Sequence, residues 1–542
     1  MDETFDFVVV GAGSAGCVLA ERLSASGRYS VAVIEAGGTD RRFWVQTPLG
    51  YGKTFYDRSL NWAYQTEPDA GFAGRSDYWP RGKLLGGSSS INAMVWVRGA
   101  PEDFDEWAAA GNLGWSYADC LPYFKAIEDS EAGENSWRGR GGAVRVSDVS
   151  DRLHPLAWRF LEAAREAGFA ANPDFNSARQ EGVGLYQINV KNGWRVSAAK
   201  AFLRPAARRA NLRILTEALV TRVLFEERRA TGVEIRLAGR SVVVAARREV
   251  ILSAGAVNSP QLLQISGVGP AAHLAAIGVA PVCDSPAVGF HLQDHVGINY
   301  TFRSRVATLN ELLRPWTGKL FAGLDFLLRS RGPLSLSLNQ AGGFVRARPG
   351  ADRPDIQLYF QAISTFAAKT GTRPLLTPDP FPGFSLGLSN CRPTSRGSVL
   401  ARSADPLAPP RIAPNALATP EDVETILAGV KLLRRLASQP ALRDVIEAEL
   451  APGPQVRTDE ELIDDFRMRG GTVYHPVGTC RMAPNLENGV VDARLRVHGL
   501  EGLRVVDASV FPSVVSGNTN APVMMAAAKA ADAIIEDARS AT

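Results

Sequence analysis

Three glycines and a carboxylate carry the most legible chemistry in this 542-residue chain. Gly11-x-Gly13-x-x-Gly16 lies between an apolar run, FDFVVV at residues 5–10, and CVLAERLSA, which has helical spacing. A second apolar run, Val31-Ala32-Val33-Ile34, ends at Glu35. Strand, glycine turn, helix and second strand make a βαβ unit. Gly11 permits the tight turn, Gly13 lets the backbone approach a pyrophosphate, and Gly16 lets the helix pack closely on the sheet. The helix start at Ser14 and Ala15 offers free N–H groups and a positive dipole end to phosphate. Glu35, followed by Ala36, can accept two hydrogen bonds from a ribose diol and repels a 2′-phosphate. The unit predicts a bound dinucleotide. By itself it does not decide between NAD and FAD.

The other reactive residue types are scattered. The five cysteines (Cys17, Cys120, Cys283, Cys391 and Cys480) are odd in number, far apart and without CxxC spacing. That argues against a disulfide framework or a zinc site and suits a reducing compartment, so a cytoplasmic location is expected. No metal-ligand spacing exists. His154, His273 and His498 read as hydrogen-bonded structural residues. The formal charge of +4 is too small for this length to argue for nucleic acid. The basic stretch from Arg195 to Arg248 is interrupted by Glu226, Glu227 and Glu234, and reads as solvated strand and loop faces. The MDETFDF start shows no signal peptide. No apolar run approaches the about 20 residues needed to span a bilayer, which leaves loose attachment to a membrane surface open.

The elements that must position these groups follow from periodicity. Residues 40–105 are loop-rich. Residues 155–168 and 197–210 read as helical, and 212–254 as a β-meander that feeds back into the parallel sheet at VILSA. The stretch 300–420 alternates short strands with Pro/Gly turns and holds few clear helices. A helix is expected from about Pro420 to Ser438, a strand at LRVVDAS, a turn at SGNTN, and a final helix from about Pro522 to Ala538. The chain has 51 Gly and 33 Pro with no collagen period, so many tight turns and close backbone approaches are expected.

Four further segments carry a resemblance. They read RGKLLGGSSSINAMVWVRG at 81–99, GAVNSPQLLQISGVG at 255–269, VYHPVGTCRM at 473–482 and LRVVDASVFPSVVSGNTNAPVMM at 503–525. Together with the βαβ unit they resemble the signatures of the glucose–methanol–choline (GMC) oxidoreductases, over residues 5 to about 538. The resemblance implies an α/β fold: a Rossmann-like FAD-binding domain interleaved with an α+β substrate domain on an antiparallel sheet. The expected boundaries are 1–155, 205–300 and 455–542 for the first, and 156–204 and 301–454 for the second. It places Leu85, Gly86, Ser89, Asn92, Ala93 and Met94 along the flavin and pyrophosphate. Ala254, Asp507, Ala508, Asn518, Thr519 and Asn520 join them, and Val220 would hold adenine through its backbone. Where some members attach FAD through a His, this chain has Ile91, so non-covalent FAD is expected.

The reaction the family implies removes two hydrogens from an alcohol, the proton to a base and a hydride to flavin N5. His475 is the expected base, since imidazole is neutral near physiological pH. Asn518 is the expected donor to the developing alkoxide, with Asn520 as the competing choice. His291 and His295, in VGFHLQDH, read mainly as structure or pocket lining. Val473 is expected near the flavin carbon that meets oxygen, and Tyr474 near the substrate mouth. Tyr359, Phe360 and Phe366 are candidate pocket residues. The charge-poor 300–385 segment favours an uncharged, primary aromatic or aliphatic alcohol over choline. The electron acceptor would be O2 or a quinone-like carrier. A choline-type dehydrogenase, a redox-neutral hydroxynitrile lyase, a non-catalytic flavin protein and a nicotinamide dehydrogenase are the competing readings.

Overall fold

In the computed structural model, which describes residues 3–366 and 377–540, the apolar N-terminal run forms strand Glu3–Val10, and Phe7 to Val10 are buried. Both faces of this strand are covered, which is why the run is uninterrupted instead of alternating. It pairs in parallel with Val31–Ile34 on one side and Arg240–Leu252 on the other. Leu212–Leu215 and Leu503–Val505 add further parallel strands, to Val31–Ile34 and Arg240–Leu252 respectively. Arg240–Leu252 then continues antiparallel into Arg229–Leu237 and Ala218–Glu226, the expected meander. Helices Ser14–Ser24 and Asn520–Ser540 pack on each other and on this sheet. Four parallel strands end at Val10, Ile34, Leu252 and Val505, so their carboxyl ends deliver Gly11, Glu35, Ser253 and Asp507 to one end of the sheet. That is the end where open α/β sheets bind ligands.

A second seven-stranded sheet faces this end. Its main path is antiparallel, in the order Ile446–Ala451, Val296–Ser304, Gly383–Asn390, Ile356–Gln361, Ala341–Val345 and Gly182–Leu185. The short strand Gly471–Thr472 pairs with Val296 and Gly297 and so ties the segment carrying His475 to this sheet. Helices Pro155–Glu166 and Pro420–Ala437 cover one face and bury a second hydrophobic core. The strand period of two decides which residues turn to the other face. Tyr359 and Gln361 line the cavity between the sheets, whereas Ile356, Leu358 and Phe360 lie in the core. Phe360 is therefore not a pocket residue: it is fully buried against Phe160 and Phe384, at ring-centroid distances of 5.6 and 5.8 Å.

The 300–420 stretch is more helical than its sequence pattern suggests. Leu309–Leu313 and Trp316–Arg329 are helices. The longer one carries Gly318 and Gly323 in its interior, which lower its helix propensity in the sequence. No helix among the described residues is long and apolar enough to cross a membrane, and no group of three or more His, Cys, Asp or Glu among them could hold a metal ion.

Candidate active site

One cavity of about 1190 Å³ runs from the carboxyl end of the first sheet to the face of the second. Gly11, Gly13, Ser14, Ala15, Glu35, Ala36, Val220, Ala254, Asp507 and Ala508 line it beside the first sheet. Val473, Tyr474, His475, Asn518 and Tyr359 line it beside the second, with Asn92, Ala93, Met94, Thr519 and Asn520 also on the wall. Phe366 lies on the same wall and is largely exposed.

The glycine turn has three distinct reasons for its residues. Gly11 has φ +98°, and a Cβ there would sit 2.5 Å from the Ser253 carbonyl oxygen. A Cβ on Gly16 would sit 1.9 Å from the Gly11 carbonyl oxygen, so only glycine lets this helix start so close to the strand. A Cβ on Gly13 would meet nothing nearer than 3.9 Å and would project into cavity space. Three helices begin at this wall, at Ser14, Gly255 and Asn520. The Ser14 hydroxyl donates to Asn520 Oδ1 at 2.8 Å and locks two of the starts together. Converging N-termini and a cradle that a single Cβ would fill suit a pyrophosphate.

Glu35 is more committed than a free ribose ligand. Its Oε2 accepts from the Ala12 N–H at 2.9 Å and its Oε1 from the Gly37 N–H at 2.8 Å. Each oxygen keeps a further lone pair for a hydroxyl donor. Burial pushes its pKa up to about 7, against the lowering pull of those two N–H groups. Asp507 is likewise engaged, accepting from the Gly255 N–H, the Ser259 hydroxyl and the Ser509 N–H.

Leu85, Gly86, Ser89 and Gly16 do not reach the cavity wall. Gly86, at φ +86°, makes the turn, and the Ser89 hydroxyl donates to its carbonyl and accepts from the Ala198 N–H. Leu85 packs on the first core. Gly87, Ser88 and Ile91 line the cavity in their place. The side chain at Ile91 is buried hydrocarbon and offers no atom for a bond to a ligand.

His475 and Asn518 meet, with Asn518 Nδ2 and His475 Nε2 3.1 Å apart. Behind His475, its Nδ1 lies 3.0 Å from Nδ1 of His295, and Nε2 of His295 lies 2.9 Å from the Cys391 carbonyl oxygen. A carbonyl only accepts, so His295 carries its proton on Nε2 and its Nδ1 is an acceptor. His475 must then donate from Nδ1, which leaves the lone pair on Nε2, facing the cavity and the Asn518 amide. The amide is oriented in turn by Gln357, whose Nε2 donates to Asn518 Oδ1 at 3.3 Å and to the Tyr186 hydroxyl at 3.2 Å. Asn520 is turned to Ser14 and makes no contact of this kind.

Burial lowers the pKa of His475 well below 6.5, and His295 and Arg81 push in the same direction. Burial also lowers His295, to about 4. Both rings are therefore neutral at rest. The backbone is held from the opposite side. Asp294 accepts from the His475 N–H at 2.7 Å and from the Thr472 hydroxyl. Arg81 donates to the Tyr474 carbonyl at 2.8 Å, and Tyr474 is held at φ +71°. Val473 donates its N–H to the His295 carbonyl at 3.0 Å, which links the two histidine segments.

From the sequence alone His295 reads as structure or pocket lining, and Asp294, Arg81 and Gln357 carry no individual mark. His295 and Asp294 stand in VGFHLQDH and Arg81 opens the 81–99 segment, so three of the four lay inside segments already marked. Gln357 carries no such signal.

Models described as GMC oxidoreductase match residues 5–297 and 393–527. The chain is 43% identical to an alcohol dehydrogenase [acceptor] of Pseudomonas putida, covering 98% of this chain and 96% of that one. It is 43% identical to an oxygen-dependent choline dehydrogenase of Rhizobium johnstonii, covering 98% and 95%. A solved structure of Aspergillus oryzae RIB40 formate oxidase, described in terms of its FAD modification, superposes with a TM-score of 0.93 at 27% identity, covering all of both chains.

Proposed function

We propose that this chain, which belongs to the GMC oxidoreductases, oxidises an uncharged primary alcohol to the aldehyde with FAD as its cofactor. The observation that carries the proposal is the lone pair fixed on His475 Nε2, beside an amide donor, in a cavity continuous with the dinucleotide cradle. Gly13, Ser14, Glu35, Val220, Ala254, Asn92 and Asn520 are the residues that would hold the cofactor. When bound, FAD supplies the two-electron acceptor for the hydrogen on the alcohol carbon. Ile91 on the wall supports a dissociable cofactor.

The chain's own residues handle the proton and the oxygen. A hydroxyl that displaces the 3.1 Å contact between Asn518 Nδ2 and His475 Nε2 donates to the histidine and accepts from the amide. His475 takes the proton as general base, and the Asn518 amide stabilises the oxygen as it gains negative charge. As His475 becomes cationic, its Nδ1–H bond to His295 becomes charge-assisted and strengthens. His295 is thus a positioning residue that both selects the tautomer and steadies the product of proton transfer.

The wall near His475 supports an uncharged substrate. Ile298, Ile363, Leu388, Tyr359 and Val473 supply apolar surface there. The carboxylates on the cavity wall are Glu35, Asp77 and Asp507, and each is spent on backbone N–H groups, Asp77 on Thr472 and Tyr78. Free, buried cysteines suit the expected reducing compartment. Oxygen or a quinone-like carrier is the proposed reoxidant.

The test is an anaerobic panel of neutral alcohols and choline, read by bleaching of the flavin absorbance, with peroxide release and dye reduction measured in parallel. Bleaching by neutral primary alcohols supports the proposal. Bleaching by choline alone refutes the substrate class, and no bleaching by any alcohol refutes the reaction.

A further inference from the structure

The helix Trp316–Arg329 is inverted relative to an ordinary surface helix. Gly318, Ala322 and Phe326, at i, i+4 and i+8, form its buried stripe. Trp316, Leu320, Leu324 and Leu327 follow the same spacing on the opposite side, flanked by Phe321 and Leu328. All six are exposed, Trp316 by 75% and Leu328 by 80%. A run of large apolar side chains this long on an outward face marks a contact surface.

The charges around this face are unbalanced. Arg314, Lys319 and Arg331 flank it, against Glu311, while Arg329 and Asp325 pair with each other on the side away from it. Glu311 is used in the capping box at Thr308, and Asp325 lies 3.7 Å from Arg329. The excess is basic. Two copies meeting through this face would bring like charges together, whereas an anionic surface complements them. A helix of 14 residues is about 21 Å long, too short to cross a hydrocarbon core of about 30 Å. An apolar face with a basic border and aromatic residues fits a helix that lies in the plane of a lipid headgroup layer.

We infer that Trp316–Arg329 seats the protein on an anionic lipid bilayer. The helix is tied to a segment that reaches the reaction cavity. Phe326, on the buried side, packs on Trp194 and Phe43, with ring centroids 4.6 and 6.1 Å apart. The segment that starts at Phe43 runs on to Tyr51, Phe55 and Tyr56, which line the cavity. The inference rests on the helix surface and is independent of the proposed chemistry.

The test is flotation of the FAD-loaded enzyme with two kinds of vesicle, pure phosphatidylcholine and phosphatidylcholine with about 30 mol % phosphatidylglycerol. The enzyme is expected to float with the anionic vesicles and to be released by high salt. Lys319→Ala with Arg331→Ala should lower the partition coefficient about 30-fold, from the attraction of two basic residues to an anionic leaflet. Leu320→Glu with Leu327→Glu should abolish flotation and leave dye-linked oxidation of a short, water-soluble alcohol unchanged. The inference is overturned if the wild type floats with neither vesicle, or if the glutamate variant floats as well as the wild type. It is also overturned if light scattering shows a wild-type dimer that the glutamate variant splits and that does not float.

Discussion

Replacing His295 tests how the base is set up. In His295→Leu the His475 Nδ1–H loses its acceptor, now 3.0 Å away, inside a buried pocket. Leaving that donor unpaired disfavours the tautomer that presents a lone pair at Nε2. When His475 takes the alcohol proton, the lost bond is one to a charged donor, worth about 1.5–3 kcal/mol. At about 1.4 kcal/mol per decade, flavin reduction should slow roughly 10- to 150-fold. His295→Asn places an amide oxygen close to where Nδ1 stands, so it should recover most of that loss although the contact to the Cys391 carbonyl is gone. The assay is anaerobic stopped-flow reduction at saturating alcohol, with flavin content measured to show that the cofactor site is intact. A His295→Leu enzyme that reduces its flavin within about threefold of the wild-type rate would refute the tautomer argument, and so would a His295→Asn enzyme as slow as His295→Leu.

Burial, His295 and Arg81 all lower the pKa of His475, and protonation removes the base, so activity should persist as pH falls through 6.5. The acid limb of the reduction rate should therefore lie below 6.5, and a limb at or above that value would contradict the burial of the resting imidazole. Gly13→Val should empty the site of flavin, because its side chain projects into the cavity, and should melt close to the flavin-free wild type, having lost only the stability that the bound cofactor adds. Gly16→Ala should instead cost roughly 1–3 kcal/mol of stability, because its Cβ collides with backbone. Melting temperature together with the flavin-to-protein ratio separates the two. Phe360→Ala should cost about 3–5 kcal/mol of stability and leave alcohol preference alone, whereas Tyr359→Ala should change KM across an alcohol series.

What the sequence makes legible here is what the backbone demands. The glycine turn, the two apolar strands and Glu35 are contiguous in the chain, and each has a local steric or hydrogen-bonding reason that a sequence displays. The partners of His475 have no such signature. His295 lies 180 residues away and is paired with it only because Gly471–Thr472 joins the second sheet beside Val296. Tyr359 and Phe360 are neighbours of similar character in a run without alternation, so only the register of the strand decides which one sees the cavity. The helix Trp316–Arg329 is hidden for another reason: Gly318 and Gly323 inside it lower its propensity, and its large apolar side chains face outward instead of into the core. In the 81–99 segment the motif points to a loop that lines the cavity, while a left-handed turn at Gly86 decides which of its residues face inward.

The most direct test of the central claim is His475→Ala, purified with FAD and mixed anaerobically with a neutral primary alcohol that bleaches the wild type. The mechanism predicts a protein that keeps its yellow colour and its melting temperature but loses the reduction rate by at least about 10²–10⁴-fold, the contribution of a general base. A His475→Ala enzyme that bleaches at close to the wild-type rate would show that another group takes the proton.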